Sequence, residues 1–410
     1  MTPMPTPAVA PGEDGRPHAG AVRALHLICL VLVTHGSLYP WEFGWPVGGF
    51  ASAWRSLWTP GPLWSGLGDV VGNVALFVPI GALMLLDLRQ SRVMPRWLVP
   101  IMLLLGTLFA ILLQVLQIAV PARDPQLSDV AWNVLGLLIG AALSGALRRL
   151  RLATTSVDGR RAVQLWLIGV WLVTEWWPLI PTIDWQHVKD ALKPLLLAPR
   201  WSVHSVAESA LMVVVVARLL RGLPAAGWLL LGVVGFALGG KLFIAEQAIS
   251  LGRACGMAAG LLLGAASLRL DATLSARWLV ASTWVWLSLD ELRPFELAGS
   301  VGVFQAIPFV ALLQGSLSAN TLGLLLLTFW VGVILVFTLE VGARPGVMAT
   351  GLCIWLLTLE VAQMFLPGRV ADITPMLVPA LWVLALHAAG AVPPSASRAP
   401  RKRQHRRTDA

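Results

Sequence analysis

Residues 98–133 read LVPIMLLLGTLFAILLQVLQIAVPARDPQLSDVAWN. From Leu98 to Leu113 the stretch is almost wholly apolar, and about 20 such residues in a helix span a hydrocarbon core of about 30 Å. The helix closes on Gln114 and Gln117, three apart and therefore on one face. A short polar loop with Arg123, Asp124, Ser128 and Asp129 follows. A second apolar run then begins near residue 130, with Asn133 one turn inside it. Two apolar helices thus meet at a loop whose polar groups lie at one membrane surface.

The rest of the chain is built the same way. Of 410 residues, 57% are hydrophobic and 12% charged, whereas a soluble protein carries about 25% charged residues. This excludes a soluble enzyme, a DNA-binding protein and a disordered scaffold. Apolar runs fall near 22–39, 69–87, 97–120, 130–147, 163–180, 202–217, 226–248, 254–268, 277–290, 319–339, 346–366 and 371–389. The expected fold is all-α: a polytopic membrane protein of about twelve transmembrane helices.

The net charge of +9 does not point to nucleic acid, because the charges lie between apolar runs and in the tail. If alternate loops are assigned to one side, 21 of the 30 Lys and Arg residues share it, six of them in the basic segment 391–410. Cytoplasmic loops are enriched in Lys and Arg, so both termini are expected in the cytoplasm of a multi-pass inner-membrane protein. Residues 1–21 are Pro-rich and polar and read as a disordered tail, and the first run reads as a retained helix rather than a cleaved signal. Cys29, Cys255 and Cys353 sit inside apolar runs without metal-like spacing. Many of the twenty tryptophans lie near run ends, as in interfacial belts.

Three segments resemble one another. The first run ends Leu38-Tyr39-Pro40-Trp41-Glu42-Phe43, the ninth Leu292-Arg293-Pro294-Phe295-Glu296-Leu297, and the fifth, more faintly, Trp176-Trp177-Pro178. Downstream of each, a glutamine precedes an arginine by six positions: Gln117 and Arg123, Gln247 and Arg253, Gln363 and Arg369. Proline-to-arginine distances are 83, 75 and 75 residues. The expectation is three four-helix repeats, at 22–150, 160–270 and 277–390, running parallel because four spans restore the starting side.

Ionisable groups at membrane depth are costly and face partners or cavities. Repeat one gathers Asp69 and Asn73, Gln114 and Gln117, Arg123, Asp129 and Asn133 at the outer ends of its helices. Repeat three keeps Glu360, Gln363, Arg369 and Asp372, but has Pro375 and Pro379 where Asp129 and Asn133 would align. Repeat two keeps Gln247 and Arg253, with His204, Glu208, Lys241 and Glu246 nearby. Two readings compete. In the first, Arg123 pairs with Asp129 or Asp69, the amides bridge helices, and Asp69 and Ser128 cap them. In the second, Arg123 and the helix N-termini beside it receive an anionic head group, with Asp129 and Gln117 orienting the arginine. No GxSxG, HExxH, CxxC pair or P-loop is present, which weighs against an enzyme. No cofactor or metal motif is seen either. His35 and His204 read as satisfied core histidines, Glu340 as a snorkelling acid, and Gly232–Gly240 as a close-packing stripe.

The string Gly68-Asp69-Val70-Val71-Gly72-Asn73-Val74-Ala75-Leu76-Phe77-Val78-Pro79-Ile80-Gly81, followed by Gln117, Arg123, Ser128-Asp129, Asn133 and Gly136, resembles the VanZ-like family. That family shows Asn-x-x-x-Phe-x-Pro-x-Gly, then Glu-x-x-Gln, an outer-loop Arg and Asp-x-x-x-Asn-x-x-Gly. Gln114 stands where the family has glutamate. The C-terminal copy restores that acid as Glu360, and its Gln305-Ala306-Ile307-Pro308-Phe309 is similar to another family segment. The likeness is good over about 65–150, partial over 290–390 and faint between. It implies a bacterial inner-membrane protein linked to teicoplanin-type glycopeptide resistance, with no established reaction. The expected role is to bind or shield an anionic lipid-linked cell-wall or exopolysaccharide precursor among the membrane lipids, not nucleic acid. A transporter, or a membrane-embedded enzyme acting on lipid-linked phosphates, are the alternatives.

Overall fold

A computed structural model describes residues 19–392, apart from 40, 47, 60–66, 90–96, 122, 154–158, 198 and 314–315. Of the tails expected at 1–21 and 391–410, residues 1–18 and 393–410 lie outside it, while residues 19–21 open the first helix rather than continuing a disordered tail. The described residues form helices and connecting loops, with no strand. The N-terminal third holds α1 (Ala19–Leu38), α2 (Phe50–Trp58), α3 (Leu67–Arg89), α4 (Leu98–Gln117) and α5 (Leu127–Ala153). The middle third holds α6 (Gly159–Glu175), α7 (Trp185–Leu196), α8 (Val203–Leu219), α9 (Ala226–Lys241) and α10 (Leu251–Ser267). The last holds α11 (Ala272–Glu291), α12 (Val310–Leu313), α13 (Leu317–Glu340), α14 (Pro345–Gln363) and α15 (Thr374–Ala388).

Each apolar run falls on a helix. Among the described residues five helices, α1, α4, α5, α13 and α14, are long and apolar enough to cross a membrane, and α3, α9, α10 and α15 contain shorter apolar spans. Side-chain caps start several of them. Ser202, Ser250, Asp271 and Ser316 each accept from a backbone N–H in the following first turn, and Pro345 opens α14.

Helices α2, α7 and α12 are additions to the sequence reading. Helix α2 is too short and too mixed to register as an apolar run. Its Phe50, Trp54 and Trp58 recur every fourth residue, with ring centroids 6.2 and 5.7 Å apart. All three rings are exposed while Leu57 is buried, an arrangement suited to a membrane interface.

Helix α13 is central: from Phe329 to Leu339 every side chain is buried. It packs against α6, α11, α14 and α15. The middle and last thirds share its core, whereas Val33, Phe77, Ile80, Ala110, Leu113, Val130 and Leu137 form a separate core for the first third. Helix α1 packs on α15 and so joins the two. Leu104, Leu105, Leu108 and Leu112 of α4 face outward, as lipid-facing side chains do.

Two helix pairs approach backbone to backbone. A Cβ on Gly81 would lie 2.2 Å from the Leu137 carbonyl, and one on Gly140 would lie 2.0 Å from that of Val78, so glycine is what lets α3 and α5 touch. On α10, Gly256 and Gly260 come close to the Val206 and Ala210 carbonyls of α8, while Gly252 and Gly264 face the Ser205 and Ala217 side chains. The stripe expected at Gly232–Gly240 does not pack this way. Gly232, Gly235 and Gly239 have nothing within 4 Å, and Gly240 receives the Trp176 ring. Glycine spacing shows that a helix could be approached closely, but not whether a partner comes.

Candidate functional site

The described residues flanking the three prolines are placed alike. The residue after each proline, Trp41, Leu179 and Phe295, is left-handed (φ 67°, 63° and 65°). Its N–H donates to the residue two before the proline: Leu38, Trp176 and Leu292, at 2.8, 2.7 and 3.0 Å.

Onto these turns the loop arginines fold back. Arg123 Nε donates to the Tyr39 carbonyl at 2.9 Å and Nη2 to that of Gly36 at 2.7 Å. Arg369 Nε donates to Arg293 at 3.0 Å and Nη2 to Asp290 at 2.8 Å. In both cases the acceptors precede the proline by one and four positions. The last carbonyls of a helix have no partner within it, so a guanidinium fork there satisfies two of them and complements the negative end of the helix dipole. Gln117 donates to Ser37 O at 2.8 Å and Gln363 to Glu291 O at 3.2 Å, again at one position relative to the proline.

Gln114 and Glu360 also share a role. The Gln114 carbonyl oxygen accepts from Gln126 N–H at 3.0 Å, and the Glu360 carboxylate accepts from Asp372 N–H at 2.8 Å. Each acceptor holds a backbone amide twelve residues on. That job needs an oxygen, not a charge, which explains why glutamine replaces the acid.

Arg123 makes no ion pair with any described residue, Asp129 included, and the expected pairing with Asp69 falls outside the described residues. Gln117 reaches Ser37 rather than Arg123, because the end of α1 lies between them. Burial pulls the Arg123 pKa below its ordinary value, yet arginine stays charged. Asn73 is half-buried on α3, and the Asp69 side chain lies outside the described residues. Asp129 is half-buried in the first turn of α5. Asn133 is 3% exposed, and its Oδ1 is buried without a hydrogen-bond partner.

The other two arginines are neutralised within the protein. Arg253 Nη1 lies 3.1 Å from Glu175, and Lys241, fully buried, lies 3.0 Å from the same oxygen. Glu208 stands 3.9 Å from Arg253, and Gln247 accepts from Lys241 at 3.0 Å. Lys241 and Gln247 also donate to the carbonyls of Glu175 and Trp177. Arg369 has Glu291 at 3.9 Å, and Gln363 bonds the same carboxylate at 2.8 Å. Asp372 is occupied by backbone, accepting from Thr374 at 2.7 Å and Ala311 at 3.3 Å. Glu175 and Glu291 both lie three residues before the proline, where the first turn has Ser37. Sequence reasoning missed both acids. The alignment on proline was the signal available.

His35 and His204 are both hydrogen-bonded and half-buried. Trp41 donates to His35 Nδ1 at 3.0 Å, so His35 Nε2–H is left to donate to the Pro308 carbonyl at 2.9 Å. His204 lies 2.9 Å from Asp290 and against the Trp286 ring. Glu340 does not simply snorkel: it stands 3.6 Å from Arg218 and accepts from Gln164 at 3.2 Å. The described residues include no cluster of three or more metal-ligating side chains.

Polar groups fixed at the ends of apolar helices, with outward-facing leucines along them, define a helical membrane protein. The VanZ/LLP1 family model matches residues 24–148, so the resemblance read from the Asn73–Gly81 and Arg123–Gly136 motifs holds, and the N-terminal third is VanZ-like. No curated protein and no solved structure matches the chain.

Proposed function

We propose that this is a bacterial inner-membrane protein of three parallel VanZ-like bundles, with about twelve spans and both termini in the cytoplasm. Its outer-face site at Arg123 binds or shields an anionic lipid-linked envelope component. One observation carries the reading. Of three arginines held at equivalent turns, Arg123 alone has no carboxylate within ion-pair distance among the described residues, because Ser37 stands where the others have Glu175 and Glu291. A guanidinium with no acid partner among the described residues, beside the start of α5, suits a phosphate or carboxylate. Gln117, Gln114, Asn73, Asn133, Asp69 and Asp129 supply or position the surrounding hydrogen bonds. The sites at Gln247 and Arg253, and at Glu360, Gln363, Arg369 and Asp372, are already closed and serve as scaffold.

On this reading the chain changes how the envelope responds to teicoplanin-type glycopeptides. Production of the full chain in a susceptible host is expected to raise tolerance, Arg123→Gln to abolish the effect, and Arg369→Gln to keep it. Equal tolerance with wild type and Arg123→Gln, at equal protein levels, would overturn the proposal.

A further inference from the structure

At the end of the bundle opposite the proline turns, the start of α11, the end of α13 and the start of α14 come together. Helices α11 and α14 both pack on α13 but barely on each other, and a groove opens between them. It consists of two adjoining hollows, of about 220 and 380 Å³, that share Ala343 and Met348. Its wall is apolar, with Val280, Ala281 and Trp284 from α11, Val341 just past α13 and Met348 from α14. The Thr338 hydroxyl in the same wall donates to Ile334 O of its own helix at 2.7 Å. Gly351 keeps the α14 side open, since a Cβ there would reach the Trp284 ring at 3.9 Å. Deeper in, the Trp284 ring lies 6.4 Å from that of Trp355, whose Nε1 donates to Ser288 Oγ at 2.8 Å. These side chains close the far end of the groove.

The mouth is cationic. Arg277 and Arg344 line the two hollows and are exposed, and neither makes an ion pair with a described residue. Glu340, four residues before Arg344, is engaged by Arg218 and Gln164. Trp284 follows Arg277 by seven residues of one helix, which carries the wall about 10 Å below the arginines. The cations thus stand at the membrane surface and the wall runs into the hydrocarbon. That pairing fits a phospholipid with an anionic head group. A neutral lipid would bring the arginines no counter-charge, and a soluble phosphate would leave the apolar wall uncovered.

The geometry points to a binding site for one anionic phospholipid in the groove between α11 and α14. Its acyl chain lies along Val280, Trp284 and Met348, and Arg277 and Arg344 hold its phosphate. The site is at the other membrane surface from Arg123 and shares no residue with it, so it goes beyond the proposed function and stands or falls separately.

The test is thermal unfolding of the full chain in phosphatidylcholine nanodiscs in which phosphatidylglycerol replaces a rising share of the lipid. Wild type should gain stability saturably. Arg277→Gln and Arg344→Gln should each need about fivefold more phosphatidylglycerol for half the gain, the scale of one arginine at an anionic membrane surface. The same losses are expected on an Arg123→Gln background. Gly351→Leu fills the groove and leaves the charges in place; it should abolish the gain while remaining as stable as wild type in pure phosphatidylcholine. Inorganic phosphate, titrated in phospholipid-free detergent at constant ionic strength, should give no gain. A phosphatidylglycerol gain that survives unchanged in Gly351→Leu, or in Arg277→Gln combined with Arg344→Gln, would overturn the proposal. So would equal stabilisation by inorganic phosphate, or no gain in wild type.

Discussion

The Arg123 Nε–H points at the Tyr39 carbonyl from 2.9 Å, across 84 residues of chain. The contact closes the end of α1 with a side chain from the α4–α5 loop, and so binds the first and third apolar runs of the N-terminal third to each other. Arg369 repeats it on Arg293. A lysine could bring the charge but not the two-pronged fork. Arg123→Lys should therefore destabilise the protein by about 1–3 kcal/mol, the scale of a charged hydrogen bond lost. Thermal melts of the two proteins in one detergent measure it.

Gln114 and Glu360 hold amides in the same way, so exchanging them should matter little. Gln114→Glu and Glu360→Gln should each stay within about 1 kcal/mol of wild type. Gln114→Ala, which leaves the Gln126 amide unmet, should cost about 1–3 kcal/mol. A melt in which Gln114→Glu fell as far as Gln114→Ala would contradict the shared role.

Two glycines of similar sequence context should behave oppositely. Gly140→Ala drives a methyl into the Val78 backbone and should cost about 1–3 kcal/mol or more through overpacking. Gly232→Ala meets open space and should be neutral or stabilising by up to about 1 kcal/mol, since alanine favours helix. Unfolding midpoints of the pair decide the point.

Glu175 is 3% exposed and neutralises both Lys241 and Arg253. Removing one partner of a buried ion pair costs about 3–5 kcal/mol because the other charge is left alone. Glu175→Gln should thus be more damaging than the double change Glu175→Gln with Lys241→Met. The double-mutant comparison by thermal melt tests this.

Asp271 gives a pH dependence with a definite sign. The backbone N–H of Leu274 at the start of α11 holds its carboxyl below the ordinary value. A depressed pKa in the folded state means stability that is present above the unfolded value of about 3.9 and is lost as pH falls through the folded one. Asp271→Asn keeps a capping oxygen but no titration, so its melting temperature should fall less than that of wild type across the same acid range.

Much of this architecture was legible in the sequence. The apolar runs mark the helices because a membrane demands long unbroken apolar stretches, and the motif around Asn73–Gly81 marks the VanZ-like third. The amphipathic helices α2 and α7 were not legible, since neither has a continuous apolar run. Partners across the turns were harder still. Arg123 was expected to meet an acid, and it meets carbonyls that no sequence pattern displays. Ser37, Glu175 and Glu291 share one position before their prolines in the sequence, but that this position lies beside the loop arginine shows only in the fold. The contacts of Glu340 with Arg218 and Gln164 draw on three helices, whose ends only the fold brings together.

The position of Ser37 offers the most direct test of an open anion site at Arg123. Ser37→Glu installs the acid that the other two turns carry, without removing the Arg123 bonds to Tyr39 and Gly36. Native mass spectrometry of the full chain with its co-purified lipids should show an anionic lipid retained by wild type and lost from Ser37→Glu at unchanged thermal stability. The same lipid, retained equally by both, would contradict the account.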